Sequence, residues 1–415
     1  VIVQWDQHWT LSADGTTRVR DHQWIKLFNR RPIRRVADRT IDYHGVEDEV
    51  IVHAARAHLP DGEVIAVPDY GFNLGATPAI AGWPAFAAWK QRIISFSGVQ
   101  PGATLELDYE IITRSGVYPA LSDELRLDGR DPILRRSVSI TRPAGVALHW
   151  DFTNIVEPAP ESRTEGDALT ETWTFGQFPG DRNAAHAPDW RERCPRMRWS
   201  TSTGADTWVA GWREPVRAAV RGDDAAIVEF AREATADAFG VRAQLEALHE
   251  KLHARFAHLD ARAAWRDRAC RNASEGFESN YGNPLEYTAL LMSMLHALDL
   301  EPALAVAVDA RTWNAKVPTD DAFAGLVAAV DGDGDSLRLH PAHGLIENPG
   351  AWGDHILLYP AKGAANGSRT FREEPLHHRG APEGSAVELT GRIELAEDGT
   401  ARGELRVQLT GAFFD

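Results

Sequence analysis

Residues 281–295 read YGNPLEYTALLMSML, and the fold of the second half of the chain turns on how this stretch is understood. Asn283 has a side chain suited to an N-cap, and Pro284 follows at the first helical position, where a missing N–H would have no intrahelical partner in any case. The stretch then runs on in Leu, Ala, Tyr and Met without another glycine or proline. A helix is therefore expected from Pro284 to about Leu298, and apolar residues on every side mark it as buried. No nucleophile stands at its start.

Working outward, the helical period begins well before this stretch. From Ile227 the apolar positions Phe230, Ala234, Ala238, Val241, Leu245, Leu248, Leu252, Phe256 and Leu259 follow in steps of three and four, with Gly240 as a break. A further helix is expected over Ala261–Ala273. Beyond the helices, Ala303–Val308, Leu326–Val330 and Ser336–Leu339 are too short for helices and read as strands, so residues 214–361 predict an α+β domain. Residues 362–384 are polar and rich in Gly and Pro, as a linker would be. Val387–Leu395 and Thr400–Leu409 alternate around Asp398-Gly399 and predict a hairpin opening a third, β-rich unit over 385–415.

Upstream, the pattern has period two. In Thr104–Ile111 (TLELDYEI) Leu105, Leu107, Tyr109 and Ile111 fall on one face. Similar runs at Val1–Trp9, Arg18–Phe28, Val50–Ala57, Ile93–Phe96, Leu134–Ile140 and Val146–Trp150 are separated by turns such as Asp14-Gly15 and Pro60-Asp61-Gly62. Residues 1–213 thus predict an antiparallel β-sandwich-like domain.

Composition bounds the partners. The 415 residues suffice for two or three domains. With 44 basic and 60 acidic residues the net charge is −16, which repels a phosphate backbone, so nucleic acid is not expected as a partner. No apolar run reaches the roughly 20 residues of a membrane span, and no helix has a Lys/Arg-rich face for surface anchoring. Cys194 and Cys270 are too few for a disulfide framework and lack the paired spacing of a zinc site; Cys270 is expected as a small core residue. The chain starts at Val1 in a strand pattern, as a trimmed chain or an exported protein freed of its signal would.

Residues 282–298, GNPLEYTALLMSMLHAL, resemble the transglutaminase-like (transglutaminase core) family, in which a Gly-Asp-Cys stretch opens a buried helix. Leu298-Asp299-Leu300 is similar to the corner after that helix. Phe323-Ala324-Gly325 is similar to the family's Phe-x-His, and Leu339-His340-Pro341 to its Leu-Asp-Pro. The first domain resembles DUF3857, through the Leu59-Pro60-Asp61-Gly62 turn, Phe96–Gly102 before a Leu-Glu-Leu-x-Tyr strand, and Pro195–Ser200 before Thr207–Gly211. The resemblance implies a papain-like α+β fold in the second domain and a bacterial periplasmic or extracellular location.

It also implies a thiol at a helix N-terminus, a His to take its proton and an Asp to orient the His. Here those positions hold Pro284, Gly325 and His340, and no Cys occurs after residue 270. A thioester cannot form on proline. The expectation is therefore a catalytically degenerate protein without cofactor or metal, whose groove docks a peptide, protein or cell-envelope polymer. The alternative is an enzyme that uses Asn283, Glu286, Asp309, His340 and His343 without a thiolate.

Other groups have plainer readings. Asp331–Asp335 (DGDGD) has the composition of a calcium loop but reads as a hairpin turn, because strands flank it. His340 and His343 in HPAH read as loop-end or solvated histidines, and His377-His378 as solvated. Asn272-Ala273-Ser274 is a glycosylation sequon within an expected helix. Trp83, Trp89, Trp208 and Trp212 are either groove-lining or buried strand aromatics.

Overall fold

The computed structural model describes residues 1–117, 120–181, 189–202, 204–259, 270–332, 335–346, 355–360, 371–376, 386–395 and 400–410. The chain forms two compact units. One comprises Val1–Pro215, Leu259–Cys270 and Thr312–Ala322; the other comprises Val216–His258, Arg271–Arg311 and Phe323–Asp415.

In the first unit fourteen strands follow in chain order: β1 Ile2–Leu11, β2 Thr17–Lys26, β3 Asp38–His44, β4 Asp48–His58, β5 Val64–Ala66, β6 Phe72–Ala76, β7 Trp89–Ser95, β8 Thr104–Thr113, β9 Ser122–Arg126, β10 Arg136–Pro143, β11 His149–Thr153, β12 Glu161–Glu165, β13 Ala168–Phe175 and β14 Arg196–Ser200. They build an eight-stranded sheet in the order β12-β13-β10-β1-β2-β8-β4-β5 and two three-stranded sheets, β11-β14-β9 and β3-β7-β6. The period-two reading holds: Leu105 and Leu107 of β8 are buried in the core, and Tyr109 and Ile111 pack against it.

Two apolar clusters join the sheets. Trp9, Val138, Ile140 and Trp173 of the long sheet pack with Leu125, Met197 and Trp199 of the β11-β14-β9 sheet. Ile25, Ala57, Leu105 and Leu107 pack with Ile41 and Ile94 of the β3-β7-β6 sheet. Midway along β2 lies a polar seam in which Trp5, Gln7 and Gln23 donate to the buried Asp21 carboxylate at 3.0, 2.9 and 2.8 Å. Burial pushes the Asp21 carboxyl above its ordinary pKa.

Two expectations need correction here. The sheet is mixed, since β1 pairs with β10 in parallel. The β region also ends earlier than residue 213: helix α1, Ala205–Ala219, starts at Ala205, where Trp208 and Trp212 fall four apart and both turn into the core. Trp208 donates its indole N–H to Asp320 at 2.9 Å and stacks 5.2 Å from Trp313, while Arg198 bonds the Thr312 carbonyl. These contacts tie residues 312–322 to the first unit although sequence places them between strands of the second.

The second unit holds α2 Ala225–Ala234, α3 Val241–Arg255, α4 Ala273–Ser279 and α5 Pro284–Ala297. Gly240, at φ +84°, separates α2 from α3 as an N-cap. Every residue of α5 except His296 is buried, as its all-round apolar sequence predicts. After the two-stranded parallel pair β15 Ala257–His258 and β16 Tyr281–Gly282 come β17 Ala303–Asp309, β18 Phe323–Gly332, β19 Asp335–His340, β20 Gly344–Leu345, β21 His355–Pro360 and β22 Phe371–Leu376. The last six form one sheet, ordered β20-β19-β18-β17-β21-β22.

The strand β22 lies within the stretch read as a linker; its Phe371 to Leu376 pair antiparallel with β21. The helix expected over 261–273 falls mainly outside the described residues, and at its end Asn272 caps α4 rather than lying inside a helix, because its side chain accepts from Glu275 N. The expected hairpin is present as β23 Ala386–Leu395 paired with β24 Ala401–Thr410, with Leu389, Ile393, Leu405 and Val407 exposed on one face. His377-His378 and Asp398-Gly399 lie outside the described residues. Among the described residues no helix is long and apolar enough to cross a membrane.

Candidate functional site

The start of α5 is a closed capping box. Asn283 Oδ1 accepts from Glu286 N at 2.9 Å, and Glu286 Oε2 accepts from Asn283 N at 3.2 Å. The remaining acceptor capacity of Glu286 goes to Arg271, whose N, Nε and Nη2 donate at 3.1, 2.8 and 2.9 Å. Glu286 is only 3% exposed, so a carboxylate there requires this pairing. Arg271 is itself fixed by Ser279 and the Tyr281 carbonyl. The alternative reading offered Glu286 as an acid or base; in the structure it accepts from four donors.

Gly325 of β18 and His340 at the end of β19 are brought together. A Cβ on residue 325 would lie 3.0 Å from His340 Nε2, and the backbone there is at φ +153° beside a bulge between Ala307 and Val308 of β17. His340 is loop-end, as read, but buried rather than solvated. Its Nδ1 accepts from the backbone N–H groups of Ala342 and His343 at 3.1 and 3.2 Å, which puts the proton of the neutral ring on Nε2. Burial, reinforced by the neighbouring His343, His258, His249 and His355, pushes its pKa down to about 2. A ring so held neither carries a positive charge near neutrality nor presents a free base.

His258 stands edge-on to Tyr287, 5.0 Å between centroids, and also acts on His340. The first turn of α5 and the end of β19 thus share a neighbourhood. Burial raises the Asp309 carboxyl, but the hydrogen bonds and charge of Arg311 outweigh this and hold it below the ordinary range, with contacts of 2.9, 3.0 and 2.7 Å. Beside α5, Phe256, Gly276, Tyr281, Gly282, Glu286, Tyr287 and Leu290 close around a crevice with no room for a water molecule. It is not a small-molecule pocket.

One group escaped the sequence reading. Residues 249–253 of α3 spell HEKLH, in which spacing of four puts two imidazoles on one helix face. Their rings lie parallel, 5.8 Å apart, and Gly344 of β20 approaches the His249 ring. The rings of His340 and His343 stack 4.5 Å apart in the adjoining turn.

The remaining candidates are structural. Asp335 pairs antiparallel with Gly332, and Asp333-Gly334 lie outside the described residues. Trp89, Trp208 and Trp212 are buried and Trp83 half-buried. Cys270 is half-buried, not the core residue expected. Cys194 is buried, and burial pushes its thiol up to about 11. Asp128, Asp181 and Cys194 lie within 4.8 Å of one another, but Arg126 binds both carboxylates at 2.5 Å and Arg193 adds a second ion pair to Asp181.

Residues 13–180, all within the first unit, match DUF3857, a domain of unknown function with a solved structure. Across nearly the whole chain the fold is that of a proposed protease from Parabacteroides distasonis: TM-score 0.78 at 21% identity, covering 96% of this chain and 78% of that one. An M1 zinc metallopeptidase of Deinococcus radiodurans, at 12% identity with 71% of each chain covered, reaches a TM-score of 0.26. No curated protein matches the sequence.

Proposed function

We propose that this chain is a catalytically degenerate transglutaminase-like protein whose second unit docks a peptide, protein or cell-envelope polymer. One observation carries the reading: the positions that would supply a base and its orienting partner, Gly325 and His340, are packed against each other, leaving 3.0 Å where a side chain at 325 would begin. With Pro284 at the would-be nucleophile position, this place has the helix start of a thiol enzyme and none of its reactive atoms. A periplasmic or extracellular setting follows from the same resemblance.

The competing reading is hydrolysis or acyl transfer through Glu286, His340 and His343, and the Parabacteroides neighbour's description as a protease lends it a motive. Against it stand the four donors on Glu286 and the two on His340 Nδ1. The test is incubation with amide and peptide substrates, with and without divalent metals. No turnover is expected. Turnover abolished by Glu286→Gln or His340→Ala would establish the enzyme instead.

A further inference from the structure

We propose that the turn between β19 and β20 is a proton-operated latch: protonation of His340 releases residues 341–345 and bares the outer edge of β19. The inference concerns the turn itself and holds whether or not the unit docks a ligand.

Few contacts build the latch. β20 is only Gly344–Leu345, the end strand of its sheet, paired with His340 and Leu339 of β19. Just after it, Ile346 N donates to the Arg338 carbonyl at 2.8 Å. A strand so short has little pairing of its own, and the turn that returns the chain is held from inside by one side chain. His340 Nδ1 accepts from the backbone N–H groups of both Ala342 and His343. Proton uptake places a hydrogen on Nδ1 and makes the acceptor a donor, aimed at two N–H groups that then lose their acceptor. The closed turn and the imidazolium are therefore incompatible, and the ring gains its proton by letting the turn go.

The surroundings do nothing to retain a charged ring. The groups that act most strongly on it are His343 in the turn, His258 of β15, His249 of α3 and His355 of β21. The His343 ring stacks on it, 4.5 Å between centroids. On the Nε2 side stands Gly325 of β18, which has no side chain. Carboxylates on the adjoining elements are committed elsewhere. Asp309 of β17, paired in register with His355, is held by Arg311, and Glu286 of α5 by Arg271. A proton on His340 thus meets other imidazoles in place of a counter-ion, and burial opposes it in the same direction.

The experiment is amide hydrogen exchange of the full chain between pH 7.5 and 5.0, read by mass spectrometry and corrected for the intrinsic exchange rate. A released turn returns His340 to its ordinary pKa of 6.5, so protection of Ala342, His343, Leu345 and Ile346 should fall about 30-fold across this range. Strands β1 and β2 of the first unit should keep theirs. His340→Asn retains an acceptor for the turn and cannot titrate, so its protection there should stay level. His249→Gln and His343→Gln retain His340 and should show the native fall, which keeps the test decisive if His340→Asn does not fold. Protection that stays level in the native chain, that falls equally in β1 and β2, or that falls equally in folded His340→Asn would each overturn the proposal. So would a fall abolished by His249→Gln or His343→Gln.

Discussion

Helices α3 and α5 lie in the same unit and handle their polar groups in opposite ways. At the start of α5 the chain is buried, and every polar atom of Asn283 and Glu286 named above has a partner inside the protein. On α3, His253 is exposed, and the neighbouring His249 keeps a nitrogen without a hydrogen bond among the described residues. Where water is excluded, an ionisable group must be satisfied by the protein and loses its freedom to react. His253, open to water, can stay uncommitted, whereas the buried His249 Nε2 is an exception to that rule among the described residues. The contrast teaches that resemblance to a catalytic motif and availability for chemistry are separate properties.

The largest effect that would break this contrast is at Glu286. Glu286→Ala should cost about 3–5 kcal/mol, since it strands the Arg271 guanidinium and opens the capping box. Urea unfolding measures it, and a loss under about 1 kcal/mol would show that the pairing is not structural.

Acid should act through His340 and His249, whose folded pKa values lie below the ordinary 6.5. Below pH 6.5 the unfolded chain takes up protons that the folded chain refuses, so stability is full above that pH and declines beneath it. For His340 the decline approaches about 1.4 kcal/mol per pH unit and continues toward its folded pKa of about 2. Stability measured from pH 7.5 to 5 would reveal this before carboxylates begin to titrate. A level profile across that window would contradict the neutral, buried His340.

Gly325→Ala sharpens the same point on a smaller scale. Its Cβ meets His340 Nε2 at 3.0 Å at a φ of +153°, and a destabilisation of about 1–3 kcal/mol is expected from thermal unfolding. An unchanged midpoint would mean that the place has room for a side chain. The smallest effect is at Pro284→Cys, which restores a sulfur but no base. Stability should change by under about 1 kcal/mol. The buried thiol should react with a disulfide reagent only after denaturation, and amide turnover should stay absent; fast labelling of the native variant would refute the closed site.

Much of this was legible in the chain itself. Period-two runs such as TLELDYEI gave strands because a sheet with one face on a core must alternate, and the uninterrupted apolar content of 284–297 gave a buried helix because no face was left for water. Asn283-Pro284 fixed where that helix begins, through local capping chemistry alone. HEKLH is equally legible, as two imidazoles at helical spacing.

Other features had no local signal. The parallel pairing of β1 with β10 joins residues more than 130 apart, and nothing within either strand specifies its partner's direction. The attachment of residues 312–322 to the first unit depends on Arg198, Trp208 and Arg191, which lie more than a hundred positions away. Sequence by itself determined the elements, their caps and the absence of a thiol after residue 270. Only the tertiary structure decided which carboxylates and imidazoles are already engaged, because hydrogen-bond satisfaction depends on what burial brings near and not on spacing along the chain.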